Sequence, residues 1–499
     1  MKTRFFLGMI FISGLFFSCS DMEQIEIPEG KNLKAATTVT SSGVTVQWAQ
    51  EQQNIDGFGV CQGHADDLYA HHKRSEIMNR LYGEQGLRLN ILRGELSPFF
   101  SPAENVYDFG FDRDIDIPYS DPLFGVLDKG SDSNYNELYI RAQHWVLREA
   151  KQMHNVEKVI FSAWSPPAYM KTNGSTVQGS LNLSQYKNYA NYITRFVKEF
   201  QNNGYPIYAV SPANEPEYAA EWTSCTWIPG SMTLAPFIVN DLSPAFRSEG
   251  LSTKIIFGEN AQWGPILGFI FGSSNFVADV LNFNPALADC NTIAAGHGYK
   301  DPVTGQKTSI IPFSKAMDMN IPVWLTETSS IDGPHTDMAN ALDWAADFHR
   351  YLSDASASAL IYWLGAVPGD NDEGLIFMNM SDRESYTLTK RYEAFGNFSR
   401  YIESDSRRVT IDRGNGLPTD FHISSYKKGN GMVIVMVNKT DENVLTPLNV
   451  NGVQGVTSLR RVLTDADNTW AETTVTPENG QYILDIPAKS VVTFVGSVQ

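Results

Sequence analysis

Residues 208–217 read Tyr-Ala-Val-Ser-Pro-Ala-Asn-Glu-Pro-Glu, and this stretch decides how the rest of the chain is interpreted. A short β-prone run, residues 207–210, ends there in small and polar residues. Pro216 cannot donate to a β-ladder, and it disfavours helical geometry at Glu215. The strand is therefore expected to stop with a carboxylate at its carboxyl end. In a (β/α)8 barrel that end carries the catalytic groups.

A second stretch has the same form. Residues 323–328 read Val-Trp-Leu-Thr-Glu-Thr, an apolar strand followed by Glu327. Two carboxylates at strand ends suit glycoside hydrolysis, in which one is the acid and base and the other the nucleophile or base. The residues predict the pair Glu215 and Glu327, but they do not assign the two roles.

Predicted strands alternate with helical patterns after residue 50, which is typical of a parallel sheet. The strands are predicted at residues 57–60, 87–93, 158–163, 207–210, 254–258, 292–295, 323–326 and 359–364. The clearest helices are predicted at residues 139–153, 183–200, 338–353 and 390–402. We therefore predict an α/β fold, a (β/α)8 TIM barrel over residues 51–405.

The pattern changes after residue 405. Short strands separated by Gly, Asn and Asp turns predict a β-sandwich side domain over residues 406–499. Upstream of the barrel, residues 37–48 alternate apolar and polar residues around a Ser-Ser-Gly turn, so they are predicted to form a hairpin.

The amino terminus has the pattern of an export signal. Lys2 and Arg4 precede an apolar run, residues 5–17, which is too short for a membrane span, and Ser18-Cys19 follow. Residues 1–19 resemble a bacterial lipoprotein signal peptide with Cys19 as the lipidation site. Residues 20–36 are polar and are interpreted as a tether. The acidic residues after Cys19 resemble surface-export signals of Bacteroidetes lipoproteins, which implies an exported protein anchored to the outer membrane at the cell surface.

Composition narrows the function. The chain has 499 residues, a net charge of −18, 42% hydrophobic residues and 19% charged residues, so it can bury a large core. The negative charge argues against nucleic acid or a polyanionic substrate as a partner and favours a neutral one. No phosphate-binding loop, nicotinamide fingerprint or metal-ligand spacing is evident, so no cofactor and no metal are predicted. The sequence does not predict an oligomeric state.

Several motifs, in order along the chain, resemble glycoside hydrolase family 30. They are Ile-Asp-Gly-Phe-Gly at residues 55–59, Trp-Ser-Pro-Pro-Ala-Tyr-Met-Lys at 164–171, Asn-Glu-Pro at 214–216, Thr-Glu-Thr at 326–328 and Ile-Pro-Ala-Lys-Ser-Val at 486–491. The resemblance covers nearly all of the chain after about residue 37. It implies that Glu215 is the general acid and base and Glu327 the nucleophile. It also implies that residues 37–50 supply strands to the side domain.

The resemblance implies further site residues. Arg93 matches the position beside the nucleophile, and Asn214 matches the residue that binds the sugar 2-hydroxyl. His297 and Tyr299 match a His-x-Tyr motif, in which Tyr299 orients Glu327. The tryptophans that end the third and eighth strands, Trp164 and Trp363, are expected to contact the sugar at the cleaved bond. Two more aromatic residues follow Glu215 directly and are candidate sugar platforms, namely Trp222 and Trp227.

The substrate is a β-linked polysaccharide or oligosaccharide by the same resemblance. The motif at residues 164–171 and the Trp-x-Ser-Cys-x-Trp run at 222–227 look closest to the xylanase-like branch, which predicts an endo-β-1,4-xylanase. Glucuronate-dependent xylanases of this family place an Arg just after the eighth strand. Residues 362–373 contain neither Arg nor Lys, so no dependence on glucuronate is predicted. The alternatives are an endo-β-1,6-galactanase or glucanase, an exo-β-glycosidase, and a non-catalytic glycan-binding lipoprotein.

Overall fold

The computed structural model describes residues 37–62, 65–96, 100–101, 106–107, 109–128, 132–265, 272–301 and 305–499. The predicted signal peptide, lipidation site and tether, residues 1–36, lie outside the described residues. Within the described ranges, no helix is long and apolar enough to cross a bilayer. Cys61, Cys225 and Cys290 are buried thiols.

Eight parallel strands close into a barrel. In chain order they are β1 (Gly57–Cys61), β2 (Ile91–Glu95), β3 (Lys158–Ser162), β4 (Ala209–Ser211), β5 (Lys254–Asn260), β6 (Thr292–His297), β7 (Val323–Glu327) and β8 (Ala359–Tyr362). The order around the barrel is β1 to β8, and β8 pairs with β1. The predicted (β/α)8 fold is therefore confirmed.

Helices cover the outside of the barrel. The α-helices described are Asp66–Tyr69, Arg74–Tyr82, Asp132–Arg148, Tyr186–Asn202, Leu234–Phe237, Ser243–Ser248, Ser273–Phe283, Ser314–Asp318, Met338–Ser353 and Lys390–Ser399. Glu149–Met153 and Ile238–Leu242 are π-helical turns. The predicted helix at residues 338–353 matches Met338–Ser353 at both ends, and the other three long helices differ from their predicted ends by at most seven residues.

Side chains fill the barrel, as its size requires. The inward-facing cluster consists of Ile91, Ile160, Ala209, Ile256, Ile293, Ala295, Trp324, Ala359 and Ile361. Gly57, in the first predicted motif, has φ +141, and a Cβ there would lie 2.0 Å from Asn90 Oδ1. The same Asn90 oxygen accepts a hydrogen bond from Phe58 N at 2.9 Å. Glycine is therefore needed where β1 enters the barrel.

A ten-stranded β-structure forms the side domain. The hydrogen-bonded order is Thr38–Thr40, Asn443–Asn451, Val44–Ile55, Ser406–Asp412, Phe421–Lys428, Gly431–Asn438, Ser490–Val498, Val456–Thr464 and Ala471–Thr474, and Ile483–Ile486 pairs with Asn443–Asn451. One buried core joins strands from the two ends of this order. It contains Val44, Val444 and Leu484 from one end and Ile434 and Phe494 from strands nearer the other end. The sheet thus folds onto itself, and the predicted β-sandwich side domain is confirmed.

The predicted hairpin at residues 37–48 is wrong. Thr38–Thr40 and Val44–Ile55 both pair in parallel with Asn443–Asn451, which lies between them. The Ser-Ser-Gly segment therefore connects two parallel strands by crossing over Asn443–Asn451. It does not form the tight turn of a hairpin. The predicted boundary at residue 50 is also too early, because the second strand pairs with Ser406–Asp412 as far as Ile55.

The side domain packs directly on barrel helices. Asn397, in the helix Lys390–Ser399, exchanges hydrogen bonds with Thr493 of the sheet, at 3.2 Å through Nδ2 and 2.7 Å through its carbonyl. Trp470 Nε1 donates to Glu393 O at 2.8 Å. Val435 and Val491 of the sheet belong to the same buried cluster as barrel residues. One face of the side domain therefore shares a core with the barrel, while the sandwich keeps a second core of its own.

Candidate active site

A cavity of about 660 Å³ opens at the carboxyl ends of the barrel strands. Seven of the predicted site residues line it: Trp164, Asn214, Glu215, Trp222, Tyr299, Glu327 and Trp363. Arg93 and His297 lie beneath them, both fully buried. The motifs that end separate strands in the sequence thus converge on one site.

Glu327 ends β7 and is almost fully buried. Arg93 Nη1 donates to its Oε2 at 2.5 Å, and the Tyr299 hydroxyl donates to its Oε1 at 2.7 Å. Burial raises the pKa of Glu327, while the charges of His297 and Arg93 oppose that shift. Burial raises the pKa of Tyr299 well above its usual value, so this hydroxyl remains a donor. Hydrogen-bond donors and cations thus surround the Glu327 carboxylate. Such groups favour the ionised form, which a carboxylate nucleophile requires.

Glu215 lies four residues beyond β4, on a backbone with φ +45. Its amide donates to Glu259 O at 3.0 Å, which fixes this left-handed turn against the end of β5. Such a conformation costs a non-glycine residue about 1–3 kcal/mol and is concentrated at functional sites. A carboxylate oxygen of Glu215 lies within 4.8 Å of one of Glu327. The turn therefore brings the two predicted carboxylates face to face.

Arg93 contacts the predicted nucleophile, Glu327, and the residue that precedes the predicted acid, Glu215. Besides Glu327, its guanidinium donates to Asn214 Oδ1 at 2.6 Å and to Glu259 Oε1 at 3.4 Å. It also lies 4.9 Å from the centroid of the Trp164 ring. Because Asn214 directly precedes Glu215 in the chain, one buried cation contacts Glu327 directly and the neighbour of Glu215.

His297 lies among three carboxylates. Its Nδ1 is 3.2 Å from Glu215 Oε1 and 3.7 Å from Glu327 Oε1, and its Nε2 is 3.8 Å from Glu259 Oε1. Burial acts against the charged form, but these carboxylates raise the pKa of His297 to about 10. The imidazole is therefore protonated at neutral pH and serves as a second buried cation beside Arg93.

Sequence reasoning missed two carboxyl groups. Glu259 is the penultimate residue of β5, with φ +54; although burial opposes its ionisation, Arg93 and His297 lower its pKa to about 2. Glu217 lines the cavity, and burial together with Glu215 raises its pKa to about 8. Glu259 follows Phe257-Gly258 at a strand end, so the rule that identified Glu327 would also have identified it. Glu217 gives no such signal.

The predicted aromatic residues divide into two groups. The Trp164 and Trp363 rings lie 5.8 Å apart at 43° and form one wall of the cavity. Trp222 is 54% exposed at the cavity edge, with Tyr218 5.8 Å away. Trp227, by contrast, is 1% exposed and packs against Tyr186, Tyr189 and Phe237. The prediction of Trp227 as a sugar platform is therefore wrong, because it faces the helical layer.

Two lysines near the site, Lys171 and Lys300, already have polar partners within the protein. Lys171 is buried, and its Nζ donates to Ser165 Oγ at 2.9 Å and to Ser224 O at 2.5 Å, so it fastens two loops together. Lys300 lines the cavity and forms an ion pair with Asp332.

Glu215, His297 and Glu327 also have the residue types and the proximity of a metal site. However, a protonated imidazole has no lone pair to give to a metal, and both carboxylates are already paired with His297 or Arg93. The arrangement fits acid–base chemistry better than metal ligation. The absence of a metal or cofactor stays a prediction.

Comparison with known proteins agrees with this geometry. The family model for O-Glycosyl hydrolase family 30 matches residues 128–377. The chain is 24% identical to glucuronoxylanase XynC of Bacillus subtilis (strain 168), over 92% of this chain and 93% of the relative. It is 24% identical to endo-1,6-β-D-glucanase of Neurospora crassa, over 41% of this chain and 42% of the relative.

A solved structure extends the comparison. The glycoside hydrolase family 30 subfamily 8 xylanase Xyn30A from Clostridium acetobutylicum superposes with a TM-score of 0.67 at 25% identity, covering 91% of this chain and 99% of that one. The similarity includes the barrel and the side domain. The chain belongs to glycoside hydrolase family 30 and is a glycosidase.

Proposed function

We propose that the protein is a retaining β-glycosidase with Glu327 as nucleophile and Glu215 as general acid and base. One observation carries this proposal: carboxylate oxygens of the two residues lie within 4.8 Å of each other. Retaining enzymes separate their carboxyl groups by about 5–5.5 Å, whereas inverting enzymes need about 6.5–9.5 Å to admit a water. The donors on Glu327 support its assignment as the ionised member.

The proposed reaction has two steps. In the first, a Glu327 oxygen attacks the anomeric carbon while Glu215 gives its proton to the glycosidic oxygen, so the carbon–oxygen bond breaks and the leaving sugar departs as an alcohol. In the second, Glu215 takes a proton from a water that attacks the same carbon, and the bond to Glu327 breaks. Arg93 and Tyr299 hold the Glu327 carboxylate throughout.

For the substrate, we propose xylan cleaved internally at β-1,4 linkages. The support is the extent of similarity: the match to a glucuronoxylanase spans 92% of the chain, whereas the match to an endo-1,6-glucanase spans 41%. An endo-β-1,6-glucanase or galactanase is the second candidate, and the partial glucanase match favours it. An exo-β-glycosidase is the third candidate.

We further propose that cleavage does not depend on glucuronate. The loop after β8 carries Glu373 on the cavity wall, and its Asp372 pairs with the buried Arg391 at 3.3 Å. A uronate carboxylate placed there would face an acidic group without a compensating arginine. Among the described residues that line the cavity, the basic one is Lys300, and it already forms an ion pair with Asp332.

A panel of glucuronoxylan, arabinoxylan, unsubstituted xylan, β-1,6-galactan and β-1,6-glucan tests the substrate. We expect all three xylans to be cut to short oligosaccharides at rates within about ten-fold, a difference of about 1.4 kcal/mol in barrier. Products that carry glucuronate at one fixed position, with the other xylans uncut, would overturn glucuronate independence. Cleavage of a β-1,6-glycan alone would replace the xylanase proposal with the second candidate.

We also propose that Cys19 is lipidated and anchors the enzyme to the outer membrane. The supporting pattern is a basic start, an apolar run and Ser18-Cys19. In the native cell, wild type should fractionate with membranes and be accessible to protease added outside, whereas the Cys19→Ala variant should be soluble. Soluble wild type would contradict the anchor, and protease-resistant wild type would contradict the surface location.

A further inference from the structure

The loop after β8 presents a carboxylate to the cavity. Residues 369–373 connect two strands of a small sheet, Leu364–Pro368 and Gly374–Met378. Asn371 and Glu373 of this loop line the cavity. Asn371 Nδ2 donates to Glu373 Oε2 at 3.1 Å, and Glu373 N donates to Asn371 Oδ1 at 2.8 Å. The Asn371 amide thus bridges the backbone and the carboxylate of Glu373 and restrains its direction.

A buried arginine holds the backbone of the same loop. Arg391, in the helix Lys390–Ser399, is 1% exposed. Its Nη2 donates to Asp372 O at 2.9 Å and to Gly374 O at 2.8 Å, and these carbonyl groups lie on either side of Glu373 in the chain. Because the guanidinium is planar and rigid, the two contacts fix the backbone around Glu373. The carboxylate is therefore positioned before any ligand binds.

One oxygen of the Glu373 carboxylate is left without a donor. Within the part of the chain that the structure describes, Asn371 is the residue that donates to this carboxylate, and it does so through Oε2. Lys300, which lines the same cavity, pairs with Asp332 instead. Glu373 is half-buried, and a carboxylate removed from water needs donors in its place. A ligand in the cavity can supply them to Oε1.

Sugar hydroxyl groups are donors of this kind. An ionised carboxyl group only accepts hydrogen bonds, and bonds to a charged acceptor are about twice as strong as neutral ones. A site built to pair with a hydroxyl group also rejects an analogue in which that donor is missing.

We propose that Glu373 accepts hydrogen bonds from free ring hydroxyls of a sugar in the bound glycan, and that Arg391 is its positioning residue. The site then selects neutral glycans whose hydroxyls at that sugar carry no acyl or ether group. The inference rests on the proposed function, because it concerns the same cavity and the same class of substrate.

Glu373→Ala tests the contact by steady-state kinetics on xylohexaose. Among the described residues, no hydrogen bond joins Glu373 to Glu215 or Glu327, so the contact is expected in the bound substrate and in the transition state alike. KM should therefore rise at least about ten-fold while kcat stays within about three-fold. Glu373→Gln keeps one acceptor oxygen and should have a smaller effect. Asp370→Asn removes an exposed carboxylate from the same loop and should leave both constants unchanged.

Arg391→Lys tests the positioning role. Lysine keeps the charge but lacks the planar fork, so KM should rise by a smaller factor than in Glu373→Ala, with kcat again within about three-fold. Asn371→Ala loosens the same carboxylate without a change in the core and serves as the second variant. If either residue acts through Glu373, adding its substitution to Glu373→Ala should raise KM little further. Full multiplication of the two effects would contradict the positioning role.

Partly acetylated xylan, before and after mild alkaline deacetylation, tests the donors on the substrate. Acetyl groups remove ring hydroxyls, so wild type and Asp370→Asn should both prefer the deacetylated xylan in kcat/KM. In Glu373→Ala that preference should be at least about three-fold smaller, because the acceptor is already missing.

Three results would overturn the proposal: a KM in Glu373→Ala equal to that of Asp370→Asn, a loss confined to kcat, or an undiminished preference for deacetylated xylan. Failure of the proposed substrate looks different, because wild type then leaves xylan uncut; the same comparisons are made on the β-1,6-glycan that is cut. If no glycan is cut, calorimetry with xylohexaose decides. A Kd about ten-fold higher in Glu373→Ala than in wild type supports the contact, and equal values or no binding to either protein overturn it.

Discussion

Arg93 Nη1 lies 2.5 Å from Glu327 Oε2, and neither side chain is more than 5% exposed. The same guanidinium donates to Asn214 and Glu259. Its Nε donates to a fourth acceptor, Ser162 Oγ, at 3.3 Å. This buried cation therefore fixes the geometry of the site and opposes protonation of Glu327. Both consequences can be measured.

Arg93→Met should cost both stability and activity. Removing one partner of a buried ion pair typically costs about 3–5 kcal/mol, because the remaining charges lose their compensation. The pKa of Glu327 should rise further, so the acid limb of kcat/KM should move to higher pH. Urea unfolding and pH–rate profiles measure the two effects. Arg350→Met, which removes exposed pairs to Asp347 and Asp354, should change stability by less than about 1 kcal/mol.

Glu327→Ala should abolish nearly all turnover, because it removes the carboxylate that forms the glycosyl intermediate in the proposed mechanism. The vacated space lies among Arg93, His297 and Tyr299 and should admit a small anion. Azide should restore measurable cleavage of activated aryl glycosides and yield a glycosyl azide of inverted configuration. Rescue of the same kind in Glu259→Ala but not in Glu327→Ala would transfer the role of nucleophile to Glu259.

Glu215→Gln should discriminate between leaving groups. The proton that Glu215 supplies matters for a departing sugar but not for a dinitrophenolate, and general acid catalysis contributes about 10²–10⁴-fold. We expect a loss of this size in kcat/KM on oligosaccharides and a loss below about ten-fold on activated aryl glycosides. Equal losses on both substrates would rule out the acid role.

The contribution that two histidines make to stability should decline as the pH drops from about 7 to 5; His349 is buried and His422 half-buried where the barrel meets the side sheet. The rings of His349 and His422 lie 5.2 Å apart. Burial lowers the pKa of both, and Arg408 and Arg413 act in the same direction on His349. A histidine whose folded pKa is depressed binds its proton only in the unfolded state. Its contribution is therefore complete above the unfolded pKa of about 6.5 and declines below it.

The measurement is the free energy of unfolding at several pH values between 5 and 7.5. Below pH 6.5 each histidine should contribute a slope of up to about 1.4 kcal/mol per pH unit. His349→Gln should reduce that slope. Any difference in stability between the variant and wild type at pH 7.5 reflects packing and not protonation. The raised pKa of Glu217, about 8, gives a slope of opposite sign over this range, but it is common to both proteins, so the difference between wild type and His349→Gln isolates the contribution of His349. An unchanged slope in His349→Gln would contradict this explanation.

Strand ends were the most predictable part of the molecule. Parallel strands place their carboxyl ends on one face, so motifs far apart in the sequence, such as Arg93 and Glu327, had to converge once the barrel was recognised. Trp227 could not be predicted in this way. It and Trp222 belong to one loop, five residues apart, and only the folded loop decides that one faces the cavity and the other the helices.

The side domain was predictable as a class but not in its pairing. Alternation identifies strands, yet it does not reveal that Asn443–Asn451 inserts between Thr38–Thr40 and Val44–Ile55. Glu217 was missed for a related reason. Its carboxyl accepts a hydrogen bond from the Ala261 amide, a contact between the loops after β4 and β5 that no local pattern encodes.

The stereochemistry of the first product tests the central claim most directly. A β-linked oligosaccharide is mixed with wild-type enzyme, and the anomeric proton signals are followed by NMR before mutarotation equilibrates the products. The account predicts that the β-anomer appears first, because carboxylates this close act by double displacement. Initial appearance of the α-anomer would contradict the assignment of Glu327 as nucleophile and Glu215 as its acid and base partner.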